Sequence, residues 1–240
     1  MADKVIVGLV IAQPVKESGQ PLSEVEKYTQ DPKPEVILFP EDHIYNEKLP
    51  DLQAIARQRG KWIISGMQDR EDRSPKFKKA AVVNPQGELV GLHVKTSLTY
   101  NELSKGFTNG ERLDAFQTDF GAIGVSICYE IHFPEVARSY ALQGARLVFN
   151  PVGTGMWHET QYATWTSIGR VRAAENGIFC VGCSHANDAV PMAYAYAPDG
   201  TCLLQARDAA RMAVVTLDLT QCFGMFLEHR QPKLYGRLTE

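Results

Sequence analysis

The stretch ILFP at residues 37–40 returns as LVFNP at residues 147–151, and the segments around the two copies follow one order. Each is an apolar, strand-length run closed by proline, the composition of a strand buried on both faces. Helical spacing follows over 49–59 and over 161–176, with Gly60 and Gly177 as stops. A second apolar strand comes next, WIISGM at 62–67 and IFCVGCS at 178–184. Hairpins complete the two units, AAVVNPQGELV at 80–90 and AYAYAPDGTCLL at 193–204, with Pro85-Gln86-Gly87 matching Pro198-Asp199-Gly200. A duplicated α-β unit of this kind packs two sheets face to face with helices outside. The sequence therefore predicts an α/β fold, a four-layer α-β-β-α sandwich with an internal pseudo-two-fold duplication, as one domain over 1–240. No Gly-x-Gly-x-x-Gly or Walker-type run is present, which counts against a doubly wound nucleotide-binding fold.

The 240 residues, 44% of them hydrophobic, are enough for one sizeable core. A formal charge of -3 gives no electrostatic reason to expect nucleic acid or an anionic membrane as partner. No apolar run approaches spanning length, and the first ten residues enter a strand-like pattern without a signal-peptide layout, so the expected location is cytoplasmic. Five scattered cysteines, an odd number, argue for a reducing compartment rather than a disulfide framework. Cys180 and Cys183, with His185 nearby, have redox or metal spacing, but positions three apart on a strand point to opposite faces. They read as core cysteines, and neither a metal nor a cofactor is expected. The basic run within 70–79 reads as a solvated loop. Residues 96–119 and the last twenty or so show little periodicity.

Chemistry points to GAIGVSICYEIHFPE at 121–135. A short buried strand runs into Cys128, and Pro134 suits the first turn of a helix, which puts Cys128 on the sharp turn between them. Such a cysteine is either a nucleophile or inert packing. Glu41 and Lys95 also stand just past strand ends, where α/β folds gather chemistry. Together the three suffice for attack on a carbonyl or nitrile carbon. Glu41 takes the thiol proton if burial lifts its pKa towards neutrality, and Lys95 with the Tyr129 N–H stabilises the charge that develops. A Cys-His arrangement through His132 is the competitor, but no cysteine-protease context surrounds Cys128.

LFPE at 38–41, GLHVKTSL at 91–98, GVSICYEIHFPE at 124–135, GRVRAAENGIFCVG at 169–182, APDGT at 197–201 and HRQPKLYG at 229–236 resemble, in this order, the nitrilase superfamily of carbon–nitrogen hydrolases. The resemblance covers nearly the whole chain. It implies Glu41 as general base and acid, Lys95 as electrostatic stabiliser and Cys128 as the nucleophile that forms a thioester. Glu102 would orient Lys95 or position substrate. It also implies the sandwich fold, no metal, and homodimers. Ser97 departs from the histidine many relatives carry after the lysine. The short loops, and an ending without the extension that builds nitrilase filaments, favour a small amidase. From position, Tyr45, Phe107, Tyr129, Gly153, Thr154 and Trp157 are candidates to border the substrate, and Arg170, Arg172 and Glu175 read as structural ion pairs. The expected activity is hydrolysis of a small linear carboxamide to release ammonia or an amine. N-carbamoyl amide or nitrile hydrolysis by the same thiol is the alternative, and a catalytically silent interaction protein on this scaffold is the alternative of another class.

Overall fold

The first apolar run forms β1 (Lys4–Ile11), followed by α1 (Gln20–Thr29), β2 (Val36–Tyr45), α2 (Leu49–Arg59), β3 (Trp62–Gln68), β4 (Lys78–Val83) and β5 (Leu89–Val94). A short helix α3 (Tyr100–Ser104) and β6 (Phe116–Thr118) lead into β7 (Gly121–Val125), α4 (Pro134–Leu142), β8 (Ala145–Val152) and α5 (Glu159–Asn176). The chain closes with β9 (Phe179–Ser184), β10 (Ala193–Tyr196), β11 (Cys202–Ala206), β12 (Arg211–Asp218) and two one-turn helices, α6 (Met225–Glu228) and α7 (Pro232–Tyr235). The computed structural model describes residues 3–13, 20–70, 73–186, 190–207 and 211–235.

The strands form two six-stranded sheets, in the orders β12-β1-β2-β3-β4-β5 and β6-β7-β8-β9-β10-β11. In both, the second to fourth strands run parallel and the outer ones antiparallel. The duplication read from the sequence is thus the topology itself. Period-2 alternation sends Val7, Leu9, Leu38 and Ile64 of one sheet, and Val125, Leu147, Phe149 and Val181 of the other, into a shared central layer. The opposite faces take the helices. Val25 of α1 and Leu52 and Ile55 of α2 pack on Ile37 and Ile63, while Tyr140 of α4 packs on Val148 and Trp165 of α5 joins Cys180 and Tyr194. Cys183 belongs to the central layer and Cys180 to the helix-facing side, as strand geometry requires.

Three local expectations are corrected. β2 and β8 do not stop at their prolines but run on through Pro40 and Pro151, so Glu41 lies within β2 rather than past its end. Residues 96–119, without periodicity, nonetheless hold α3 and β6. The apparently featureless tail holds α6 and α7. The elements α3, β6, α6 and α7 are each too short to register as a period.

Candidate active site

Glu41 is placed by a bulge. Phe39 pairs with Ser65 and Ile44 with Met67, so the four residues from Pro40 to His43 stand opposite Gly66 alone. A Cβ at Gly66 would lie 2.3 Å from the Glu41 Cα and 2.4 Å from the Pro40 oxygen, so only glycine leaves room. Asp42 takes a left-handed φ of 56° to complete the turn, and His185 Nε2 donates to the Glu41 carbonyl at 2.9 Å. We expect Gly66→Ala to lower turnover about 10²-fold through a displaced Glu41, since misplacing a reacting group by an ångström costs that much. Steady-state kinetics with circular dichroism on the same sample check this; unchanged kcat in a folded variant refutes it.

Lys95 follows β5 directly. Its side chain is fully buried, and its Nζ donates to Glu41 Oε1 at 2.8 Å and Glu102 Oε1 at 2.7 Å. Glu102 is held in turn. Its other oxygen accepts from the Thr99 N–H at 2.7 Å and the Thr99 hydroxyl at 3.0 Å, in a capping box at the start of α3. The pattern Thr99-x-x-Glu102 was readable in the sequence as a helix start, and it is the signal that could have found α3.

Cys128 opens a 3₁₀ turn at φ 49°, a conformation a non-glycine residue adopts only when its surroundings impose it. The buried Glu130 carboxylate does much of this. It accepts from the N–H groups of Ile127 and Thr96, both at 2.6 Å, and from the Thr96 hydroxyl at 2.7 Å. His93 Nε2 stands 2.8 Å from its second oxygen. One side chain therefore joins the Cys128 turn to the residue after Lys95. Asn150, at the end of the repeated LVFN run, donates to the carbonyls of Ser126 at 2.5 Å and Cys128 at 3.3 Å. Its oxygen accepts from Tyr194 and Trp165. Neither Glu130 nor Asn150 was legible as a site residue, because each acts through groups distant in sequence that folding brings close.

The thiol is hydrogen-bonded to the Glu41 carboxylate and receives the Gly153 N–H. A Cβ on Gly153 would come within 2.5 Å of Glu41 Oε2, so this residue must also be glycine for the carboxylate to reach the sulfur. Burial pushes the Glu41 carboxyl up, but Lys95 and then Lys78 outweigh it and hold the group down at about 2. This overturns the expectation that burial lifts Glu41 towards neutrality: burial is the largest single influence, but the Lys95 ammonium 2.8 Å away, Lys78 and the hydrogen bonds together exceed it. Burial lowers Lys95, yet Glu41, Cys128 and Glu102 hold it above the ordinary lysine value. Burial and the Glu41 charge push the Cys128 thiol up. The resting site is thus thiol, carboxylate and ammonium.

The Glu41 carboxylate and the Cys128 thiol border a cavity of ≈ 1140 Å³. Tyr45, Phe107, Tyr129, Gly153, Thr154 and Trp157 all line it, as do Glu41, Glu102 and Cys128; Trp157, 76% exposed, stands at its rim. Asp42, Lys76, Lys78, His132 and Trp165 also line it and were not anticipated. The basic segment 70–79 is therefore more than a solvated face, because Lys78 is buried and paired with Asp42. His132 packs edge-on against Trp165 with ring centroids 4.6 Å apart, a wall of the cavity, while the thiol faces Glu41. Arg172 binds the Ile131 and His132 carbonyls and pairs with Glu175 at 2.8 Å, the structural role expected of it. Among the described residues, no group of three or more His, Cys, Asp or Glu side chains is placed to hold a metal ion. No described helix is long and apolar enough to cross a membrane.

A family model described as carbon-nitrogen hydrolase matches residues 27–223. The chain is 31% identical over 163 residues to an omega-amidase of Xenopus tropicalis, a match covering 62% of this chain and 57% of that protein. The match therefore spans less than two thirds of that relative's length. Among solved structures, the carbon-nitrogen hydrolase from Helicobacter pylori superposes with a TM-score of 0.90 at 18% identity, covering 99% of both chains. A variant of a Nesterenkonia amidase from the nitrilase superfamily superposes with a TM-score of 0.84 at 20% identity, covering 98% of this chain and 96% of that one.

Proposed function

The chain belongs to the carbon–nitrogen hydrolase family of the nitrilase superfamily, and on that premise we propose that it is a thiol hydrolase cleaving the C–N bond of a small linear carboxamide. The observation that carries this reading is the placement of the Glu41 carboxylate between the Lys95 ammonium and the Cys128 thiol, bordering an open cavity. The Cys128 sulfur attacks the amide carbon while Glu41 takes the thiol proton. Negative charge moves to the substrate oxygen, where the Lys95 ammonium and the Tyr129 N–H stabilise it. Glu41 then gives its proton to the departing nitrogen, ammonia or an amine leaves, and a thioester remains on Cys128. Water attacks the thioester as Glu41 takes one of its protons, and the carboxylic acid is released with the thiol restored. Glu102 keeps the Lys95 ammonium in place through the 2.7 Å bond. A free thiol nucleophile needs a reducing compartment, so the cytoplasm is the proposed setting, with residues 1–240 acting as one domain within a homodimer.

Ammonia release from short amides, ureido acids and nitriles, compared between native protein and Cys128→Ala, tests the reading. Release from amides by the native protein alone supports it. If the two forms agree on every compound and iodoacetamide fails to label Cys128 preferentially, the reading is lost. Turnover should also survive exhaustive treatment with EDTA. Loss of activity restored by added metal would contradict a mechanism run by Glu41, Lys95 and Cys128.

A further inference from the structure

Lys78 opens β4, whose Ala80 and Val82 face the central layer, and strand alternation puts Lys78 on the same face. Its ammonium pairs with Asp42 and lies 3.7 Å from Glu102 Oε1, the oxygen that also accepts from Lys95. The Lys95 N–H donates to the Lys78 carbonyl at 2.9 Å, so the two lysines are cross-strand neighbours. Like charges so placed repel unless something lies between them. Here Glu102 lies between them, and Glu41 and Asp42 approach from the β2 bulge. Asp42, Lys78, Glu102, Lys95 and Glu41 form a series of alternating charge whose two acidic ends, Glu41 and Asp42, are adjacent in the chain.

We propose that Lys78 is a positioning residue for the hydrolysis: its ammonium, held by Asp42 and Glu102, keeps Glu41 ionised and ready to take the Cys128 proton. The inference rests on Glu41 being the general base. The groups that face Glu41 are Lys95 at the end of β5, Lys78 on β4, Asp42 on its own strand, Cys128 on the nucleophile turn, His185 after β9 at its carbonyl, and Glu102 of α3 through Lys95. His132 lines the same cavity. Against burial, the two lysines are the charges that hold Glu41 down. Asp42 shows what happens where compensation is weaker, since burial pushes it up to about 6 even with Lys78 beside it. Without that ammonium Asp42 takes up a proton first, and Glu41 loses one of the two charges that hold it ionised against burial, so its own protonation moves to higher pH.

The test is an infrared titration of the protonated-carboxyl band assigned to Glu41 by its loss in Glu41→Gln, run beside the pH profile of kcat/KM. In Lys78→Met and Lys78→Gln the band should appear at a pH higher by about one unit or more, and the acid limb of kcat/KM should move with it. Lys78→Arg, which keeps the charge, should titrate like the native protein. Should Lys78→Met fail to fold, the glutamine and arginine variants carry the comparison. The same Glu41 titration in both overturns the inference, as does an unmoved band in a folded Lys78→Met. The infrared reading needs no turnover. An unmoved band in an active amidase therefore defeats this inference alone, whereas a moved band in a protein that hydrolyses no amide defeats the general-base reading.

Discussion

Glu41→Gln should lower kcat by about 10²–10⁴-fold, the usual contribution of a positioned general base, while bringing the Cys128 thiolate to lower pH. The two effects have one origin. In the native site the carboxylate is ionised because Lys95 and Lys78 outweigh burial. The thiol is kept protonated by burial and by that same carboxylate. Glutamine removes the negative charge and leaves Lys95 beside the sulfur, so the thiolate becomes easier to form as catalysis is lost. Amide hydrolysis gives the first effect. Ultraviolet thiolate absorbance, with Cys128→Ala as the blank, gives the second. A thiolate that titrates at the native pH or above would show that Glu41 is not electrostatically joined to the nucleophile. Native rates in a folded Glu41→Gln would remove it from the general-base role.

Lys95→Met should cost about 3–5 kcal/mol of stability at neutral pH, the range for removing one partner of a buried ion pair. It leaves Glu41 without its nearest ammonium and Glu102 with only the longer contact to Lys78, at 3.7 Å. The pH dependence carries the sign. In the native protein the folded Glu41 pKa lies below the ordinary glutamate value of 4.5, so its contribution is present above that value and is lost as pH falls through about 2. In the variant, burial acts unopposed by Lys95 and lifts Glu41 in the folded state. The folded form then binds the proton more tightly than the unfolded one, and stability falls as pH rises. The difference between native and variant protein should therefore widen from pH 4 to pH 7. Urea denaturation at several pH values measures it, and a difference independent of pH would mean the loss is one of packing alone.

Much of this was legible before folding, because local chemistry encodes it. The paired ILFP and LVFN runs, the glycine stops at Gly60 and Gly177 and the two hairpins give periodicity and turn signals within short windows. Glu41, Lys95 and Cys128 stood out because polar residues end otherwise apolar runs. Glu130 and Asn150 did not, since their partners, among them backbone groups of residues 96, 126, 127 and 128, are brought within reach only by packing. Lys78 was hidden in a basic run; its burial follows from the inward face of β4, a fact of sheet register. α3 was missed although Thr99 and Glu102 spelled out its cap, because one turn has no period.

Composition and pattern by themselves established a duplicated α-β-β-α sandwich and singled out Glu41, Lys95 and Cys128, since apolar periodicity dictates which faces are buried and polar residues beside apolar runs stand out. The charge state of those side chains was settled only in three dimensions. Burial alone lifts a carboxylate, and the expectation for Glu41 followed that rule. Two ammonium groups, contributed by different strands, reverse it. Electrostatic energy depends on separation in space, and no spacing along the chain reveals that Lys78 and Lys95 meet around the same acids.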